Sequence, residues 1–219
     1  MSGNVIRLDE VLARTRTPTI VTDHQFNAGV EELSEFIHTR VERISREVGF
    51  GYRPSATAPT TFKALLAEHK VSGLTGLPLR VSSDHCETSI FTPEDNWRYR
   101  FWHDGTHVAT GGNFSRAGEA VVAQEQLRQL EQAGTTPDSL VWRLLFCETF
   151  GQAECVHRLG SYPVDQCQFT KDYLAFGLLA AIELEGRRQH QGELQLYLSN
   201  VVMLRLRPQA TGTTTGDAA

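Results

Sequence analysis

Apolar residues at Val30, Leu33, Phe36, Ile37, Val41, Ile44 and Val48 recur at steps of three and four, so residues 29–48 predict an amphipathic helix. Gly49 to Pro54 punctuates it, residues 55–59 form a turn-rich linker, and Phe62, Leu65 and Leu66 predict a short helix reaching about Lys70. Residues 71–93 change character. Gly73, Gly76 and Pro78, then alternating Leu79 and Val81, predict an irregular segment or a small hairpin. Thr92 is placed as a helix N-cap, with Pro93 in the first turn and Glu94 and Asp95 beside the positive end of the dipole.

Trp97, Tyr99, Phe101 and Trp102 make the most aromatic stretch of the chain, and aromatic density implies burial. Gly111-Gly112-Asn113 breaks that helix, and Asn113-Phe114-Ser115 offers the cap of a second one that runs with Ala120, Val121, Leu127 and Leu130 to Gln132 or Ala133. After the break at 134–138, Leu140, Val141, Leu144, Leu145, Cys147 and Phe150 carry a further helix, extended to Val156 with Gly151 inside it. Residues 160–163 break again, and 169–185 read as a last helix, apolar nearly all round and therefore packed deeply. Leu194, Leu196 and Leu198 alternate with polar neighbours, so 193–206 are compatible with a strand or a continuing helix. Residues 1–28 carry weak signals, with a short helical or extended start at Val5 to Leu12, and 209–219, rich in Thr, Gly and Ala, read as a disordered tail. The expected fold is mainly α, a single-domain helical bundle over 1–208 with a small irregular or β segment near 71–93 and a second candidate at 193–206.

A length of 219 residues fits one domain with a sizeable core. The formal net charge of -5, without a clustered basic face, argues against nucleic acid as a partner. Four cysteines form no C-x-x-C pair, and the amino terminus has no signal-peptide pattern, so reduced thiols in the cytoplasm are expected. No apolar run reaches the roughly 20 residues of a spanning helix, which restricts any membrane contact to a peripheral one. A homo-oligomer is compatible with the sequence.

Chemistry concentrates at Trp102-His103-Asp104-Gly105-Thr106-His107 and at Glu119, after eleven intervening residues. On a helix, His103, Asp104 and His107 occupy neighbouring positions of one face, and the glycine break lets the next helix return Glu119 over them. Two imidazoles with one or two carboxylates suit a divalent metal, Zn or Fe before Mn or Mg. His103, His107 and Glu119 are the expected direct ligands, and Asp104 either completes the set or holds a histidine ring in its ligating tautomer. Fewer than four protein ligands would leave an open coordination position, as catalytic centres need.

Other groups carry less. Asp84, His85, Cys86 and Glu87 are metal-capable, yet adjacent residues cannot all reach one centre, so they read as an exposed polar loop. Glu154 and His157 form a Glu-x-x-His pair that, with Glu148, would build a dinuclear centre. Six residues place Glu148 and Glu154 about 240° apart on an ideal helix, against that centre. Tyr162, Asp165, Asp172 and Tyr173 are within reach of a pocket but are ordinary surface or packing residues. Ser115 and Ser161 lack a nucleophile elbow, and no Gly-rich phosphate loop follows a strand.

His103-Asp104-x-x-His107 with Glu119 twelve positions on, set in Gly118-Glu119-Ala120-Val121-Val122, resembles the H-D-x-x-H-x11-E motif of a coenzyme Q (ubiquinone) biosynthesis family. The likeness spans roughly residues 96–130. It implies an all-helical fold, a metal held by His103, Asp104, His107 and Glu119, and a role in removing the C1 carboxyl of the quinone ring precursor, with a hydrophobic groove for a prenyl tail. The adjacent His-Asp is also similar to the HD phosphohydrolase superfamily, which would require an upstream His, such as His69 or His85, and a downstream Asp, such as Asp138, Asp165 or Asp172. Three functions follow: a metal-dependent enzyme on a small organic or lipid-like substrate, an HD-type phosphohydrolase, or a non-enzymatic helical interaction protein with a structural metal site.

Overall fold

The computed structural model describes residues 20–206, with side chains described as far as 195, and the architecture is mainly α with one small pair of strands. The weak signals before residue 20 and the tail expected at 209–219 lie outside the described residues. Helix α1 (Asp23–Val48) begins earlier than its periodicity predicts because Thr22 and Gln25 form a capping box, each satisfying a backbone N–H of the other's segment. Its buried face keeps Leu33, Ile37 and Val41 of the predicted apolar stripe and adds Phe26 from the unpredicted first turns.

The next segment departs from the irregular or hairpin expectation. Strand β1 (Tyr52–Ser55) and strand β2 (Leu79–Ser82) pair in parallel, with α2 (Phe62–Thr75) as the crossover between them. A two-residue turn cannot join parallel strands, so the intervening chain has to be a crossover. Residues 71–75 therefore belong to α2, which stops only at Gly76. Leu79 and Val81 point inward and are fully buried, which is the alternation their spacing predicts.

Helices α3 (Pro93–Thr110) and α4 (Arg116–Gln132) start at the predicted cap Thr92 and, within the stretch 113–115 offered for the second, at Ser115; their hydroxyls accept from Asp95 N and Gly118 N. The helix expected from Leu140 to Val156 reaches Leu159 in three parts: α5 (Leu140–Phe146), a wide π turn (Cys147–Gly151) and α6 (Gln152–Leu159). The expected last helix is divided. α7 (Gln166–Phe176) and α8 (Leu178–Leu206) meet at Gly177, whose φ of 84 and ψ of 165 lie in a region only glycine enters freely. The strand alternative at 193–206 is thereby corrected, since α8 remains helical throughout. A helix there closes its own hydrogen bonds locally, whereas a strand would need an edge to join.

One hydrophobic cluster joins these elements, with Trp102, Phe101, Phe146, Phe169 and Tyr173 almost wholly buried. α1 packs on α3 and α5, α3 on α4, and α7 on α8. All four cysteines are free thiols, and among the described residues no helix is long and apolar enough to cross a membrane.

The α3–α4 connection is sterically closed. A Cβ on Gly112 would approach Gly118 O to 2.9 Å, and one on Gly118 would overlap the backbone oxygen of Asn113. Gly118→Ala is therefore expected to push α4 off the turn at a cost of about 3 kcal/mol, the upper end for overpacking. Thermal unfolding should register this as a fall of roughly 6–12 °C, and an unchanged midpoint would show that the turn relaxes freely.

Candidate metal centre

His103 and His107 stand one helical turn apart on α3, and both rings lean inward because Tyr99, Trp102 and Thr106 around them are buried. The rings are nearly perpendicular, with centroids 4.6 Å apart and an interplanar angle of 82°. His107 is fully buried, edge-on to Phe114 at 4.8 Å. Its Nδ1 lies 2.7 Å from the carbonyl of Gly112. A carbonyl only accepts, so Nδ1 carries the proton and Nε2 of the neutral ring presents a lone pair. The break that ends α3 thus also sets the tautomer of the histidine before it.

His103 Nδ1 lies 3.1 Å from Oε1 of Gln126, two turns along α4. Donation to this amide oxygen turns the Nε2 lone pair of His103 toward His107. The two Nε2 atoms are 3.0 Å apart, and Glu119 Oε2 lies 3.4 Å from each. Atoms bound about 2.1 Å from one ion stand about 3.0 Å apart at a right-angled edge and about 3.4 Å apart at a tetrahedral one. The three edges therefore have the lengths that coordination around one first-row divalent ion would give. His103, His107 and Glu119 form a group that could hold a metal ion.

Asp104 is placed differently from the two histidines. Its carboxylate is outside the converging set, although it lines the same cavity and interacts electrostatically with both rings. Burial pushes it up to about 6, against the charges of His103, His107 and Arg100. For Glu119, burial alone would raise the pKa, but the hydrogen bonds and charges of His103 and His107 hold it at about 2. Burial would lower His103, and the hydrogen bond and charge of Glu119, with Asp104, outweigh it and raise its pKa. Position at the first turn of α4 further favours the Glu119 carboxylate through the helix dipole.

The three groups open on a cavity of about 730 Å³ whose wall includes Asn96, Tyr99, Arg100, Asp104, Glu148 and Tyr162. Arg100 is tethered by the carbonyls of Ser82 and Asp84, at 2.7 and 2.5 Å. Asn96 is buried, and its Nδ2 has no hydrogen-bond partner among the described residues. Both were absent from the sequence reading, yet 96, 100, 103 and 107 share one helix face, so their spacing could have pointed to them. Gln126 lies seven residues after Glu119 and carries the same signal. Gly112, acting through its carbonyl, has no sequence signature.

The dinuclear arrangement is not assembled. Glu154 pairs with Arg116 and Arg158, both at 2.7 Å, and only Glu148 and His157 border the cavity. The two glutamates thus have different surroundings, Glu148 the cavity and Glu154 two arginines. Of the positions an HD site would recruit, His69 packs edge-on to Phe50 at 5.1 Å, Asp165 caps α7, and Asp172 pairs with Arg188 at 2.6 Å. His85 lines the cavity rim beside Tyr162, with ring centroids 5.8 Å apart. Asp138 takes a positive φ of 66 and does not border the cavity.

A cation entering this centre competes with protons for His103, whose pKa Glu119 and Asp104 raise, so affinity should weaken with acidity. Zinc titration by calorimetry is expected to lose about tenfold per pH unit below the raised His103 pKa, one proton being displaced. Gln126→Leu should weaken zinc binding by roughly 10–100-fold at unchanged stoichiometry, as loss of a ligand-orienting partner does. Equal affinity in that variant would mean that Gln126 does not orient the ring. No family model matches this chain, and no curated protein and no solved structure is significantly similar to it.

Proposed function

We propose that the protein is a metal-dependent enzyme acting on a small organic or lipid-like substrate at His103, His107 and Glu119. The observation that carries this reading is the convergence of three lone-pair atoms, 3.0 to 3.4 Å apart, on a cavity of about 730 Å³. That volume is in the range of small-molecule sites. Two histidines and one carboxylate leave open positions, as in catalytic zinc sites and in non-haem iron(II) centres, so zinc or iron is the metal proposed. Bound there, the ion would supply Lewis acidity toward a substrate oxygen or, if iron, access to oxygen chemistry.

The chain's own residues supply the rest. Arg100, fixed by two backbone carbonyls, offers a cation to an anionic or strongly polar substrate group, and Asn96 Nδ2 offers a free donor. Phe114, Val156 and Tyr162 give the wall an apolar component. Asp104, beside both rings, holds a proton near neutral pH more readily than an ordinary aspartate. These features agree with the motif resemblance and with a substrate that is partly apolar and partly charged. The engagement of His69, Asp165 and Asp172 elsewhere gives the phosphohydrolase reading less support.

Purified protein should carry about one equivalent of zinc or iron by elemental analysis, and the His103→Ala/Glu119→Ala double variant should carry none while keeping its helical circular dichroism. Metal retained in that variant would place the centre elsewhere, and unfolding of the variant would make the site structural. Loaded wild type is expected to release no phosphate from nucleotides. Metal-dependent release would favour the phosphohydrolase instead.

A further inference from the structure

Glu148 sits on the π turn, 6% exposed, with its side chain on the cavity wall. Its Oε2 accepts from Gln152 Nε2 at 2.8 Å. Its Oε1 lies 3.3 Å from Thr170 Oγ1, but that hydroxyl is only 2.9 Å from the carbonyl of Gln166. A hydroxyl has one proton, which Thr170 divides between these two acceptors, so it offers a Glu148 carboxylate only a weak hydrogen bond. None of the ion pairs among the described residues involves Glu148, in contrast to Glu154 six residues on.

We propose that Glu148 is a neutral carboxylic acid that serves as the proton-carrying residue of this cavity. The inference rests on the metal-site reading for the reaction it would serve, and for its protonation on burial at the cavity wall without an ion-pair partner among the described residues. In the step, the proton leaves the Glu148 carboxyl, its bonding electron pair stays on the carboxylate, and the proton goes to the substrate atom that gains electron density. Water entering past exposed Tyr162 returns it. The groups facing Glu148 are Tyr99 and Arg100 from α3, Gln166, Cys167 and Thr170 from α7, and Cys147 and Gln152 from its own segment. Tyr99 Oη donates to the backbone carbonyl of Glu148 at 3.0 Å and so fixes the turn against α3. Burial pushes Glu148 up to about 7, opposed by its hydrogen-bond partners and by the charge of Arg100. A wide π turn at a cavity is a common way to present one side chain out of the regular helical register.

Infrared spectroscopy on protein carrying carboxyl-labelled glutamate tests this without a substrate. The expected wild-type result is a protonated-glutamate band at pH 6 that titrates away near about 7 and is missing in Glu148→Gln. In heavy water the band should shift within the mixing time, as solvent access through the cavity demands, and not at the pace of core amides. No such band at pH 6, a band that survives in Glu148→Gln, or exchange as slow as the core would overturn the proposal. The wild-type arms need no variant to fold. Loading with zinc should lower the titration midpoint by at least about half a unit, because a nearby dication favours the carboxylate, and Glu148→Gln should still hold one zinc. A protein that holds zinc with an unmoved midpoint would separate Glu148 from the metal centre and overturn its role there. A protein that holds no zinc yet retains the band would remove the metal reading and leave the acid standing.

Discussion

Three acceptor atoms face one another across 3.0 to 3.4 Å, and lone pairs held that close repel unless a positive charge sits among them. Either a shared proton or a metal ion meets that requirement. The arrangement persists because each imidazole is fixed from behind. His107 is held by the Gly112 carbonyl and His103 by Gln126, so neither ring can rotate away without losing a buried hydrogen bond. The downward shift of Glu119 and the upward shift of His103 are the electrostatic record of the same constraint.

The rest of the architecture can be understood as the support for that convergence. Gly112 and Gly118 let α3 and α4 approach through a turn too tight for side chains, which seats Glu119 over the histidines. Below them Gln129 accepts from Trp102 Nε1 at 2.9 Å and from Arg40 at 2.7 Å, tying α4 to α3 and α1 in the middle of the core. The small parallel strand pair adds a different element to the site. Its second strand ends at Ser82, whose carbonyl holds Arg100 at the cavity wall. A helical bundle alone would leave that guanidinium without its tether.

The cavity also separates two kinds of carboxylate. Glu154 meets two arginines and is an ordinary ion-paired acid, whereas Glu148 and Asp104 are buried with no such partner and are pushed toward the neutral form. On a regular helix Glu148 and Glu154 would differ only by angle. Packing decides which one borders the cavity and which one, just as buried, meets Arg116 and Arg158.

Local signals made much of this legible from the chain alone. The apolar period of α1, the Thr92 and Ser115 caps, the breaks at 111–113 and 134–138, and the i, i+4 histidines followed by Glu119 depend on neighbours within a few residues, where the sequence acts directly. Decisions that depend on distant partners were made by packing. They include the parallel pairing of β1 with β2, the division of the last helix at Gly177, the continuation of α8 through residue 206, the placement of Asp104 outside the converging group, and the tethering of Arg100 by carbonyls 16 and 18 residues away. The residue types and spacing of a candidate metal site were thus written in the sequence. Tautomers, distances and the shape of the space beside them exist only once separate segments are held together, because they are set by contacts and not by composition.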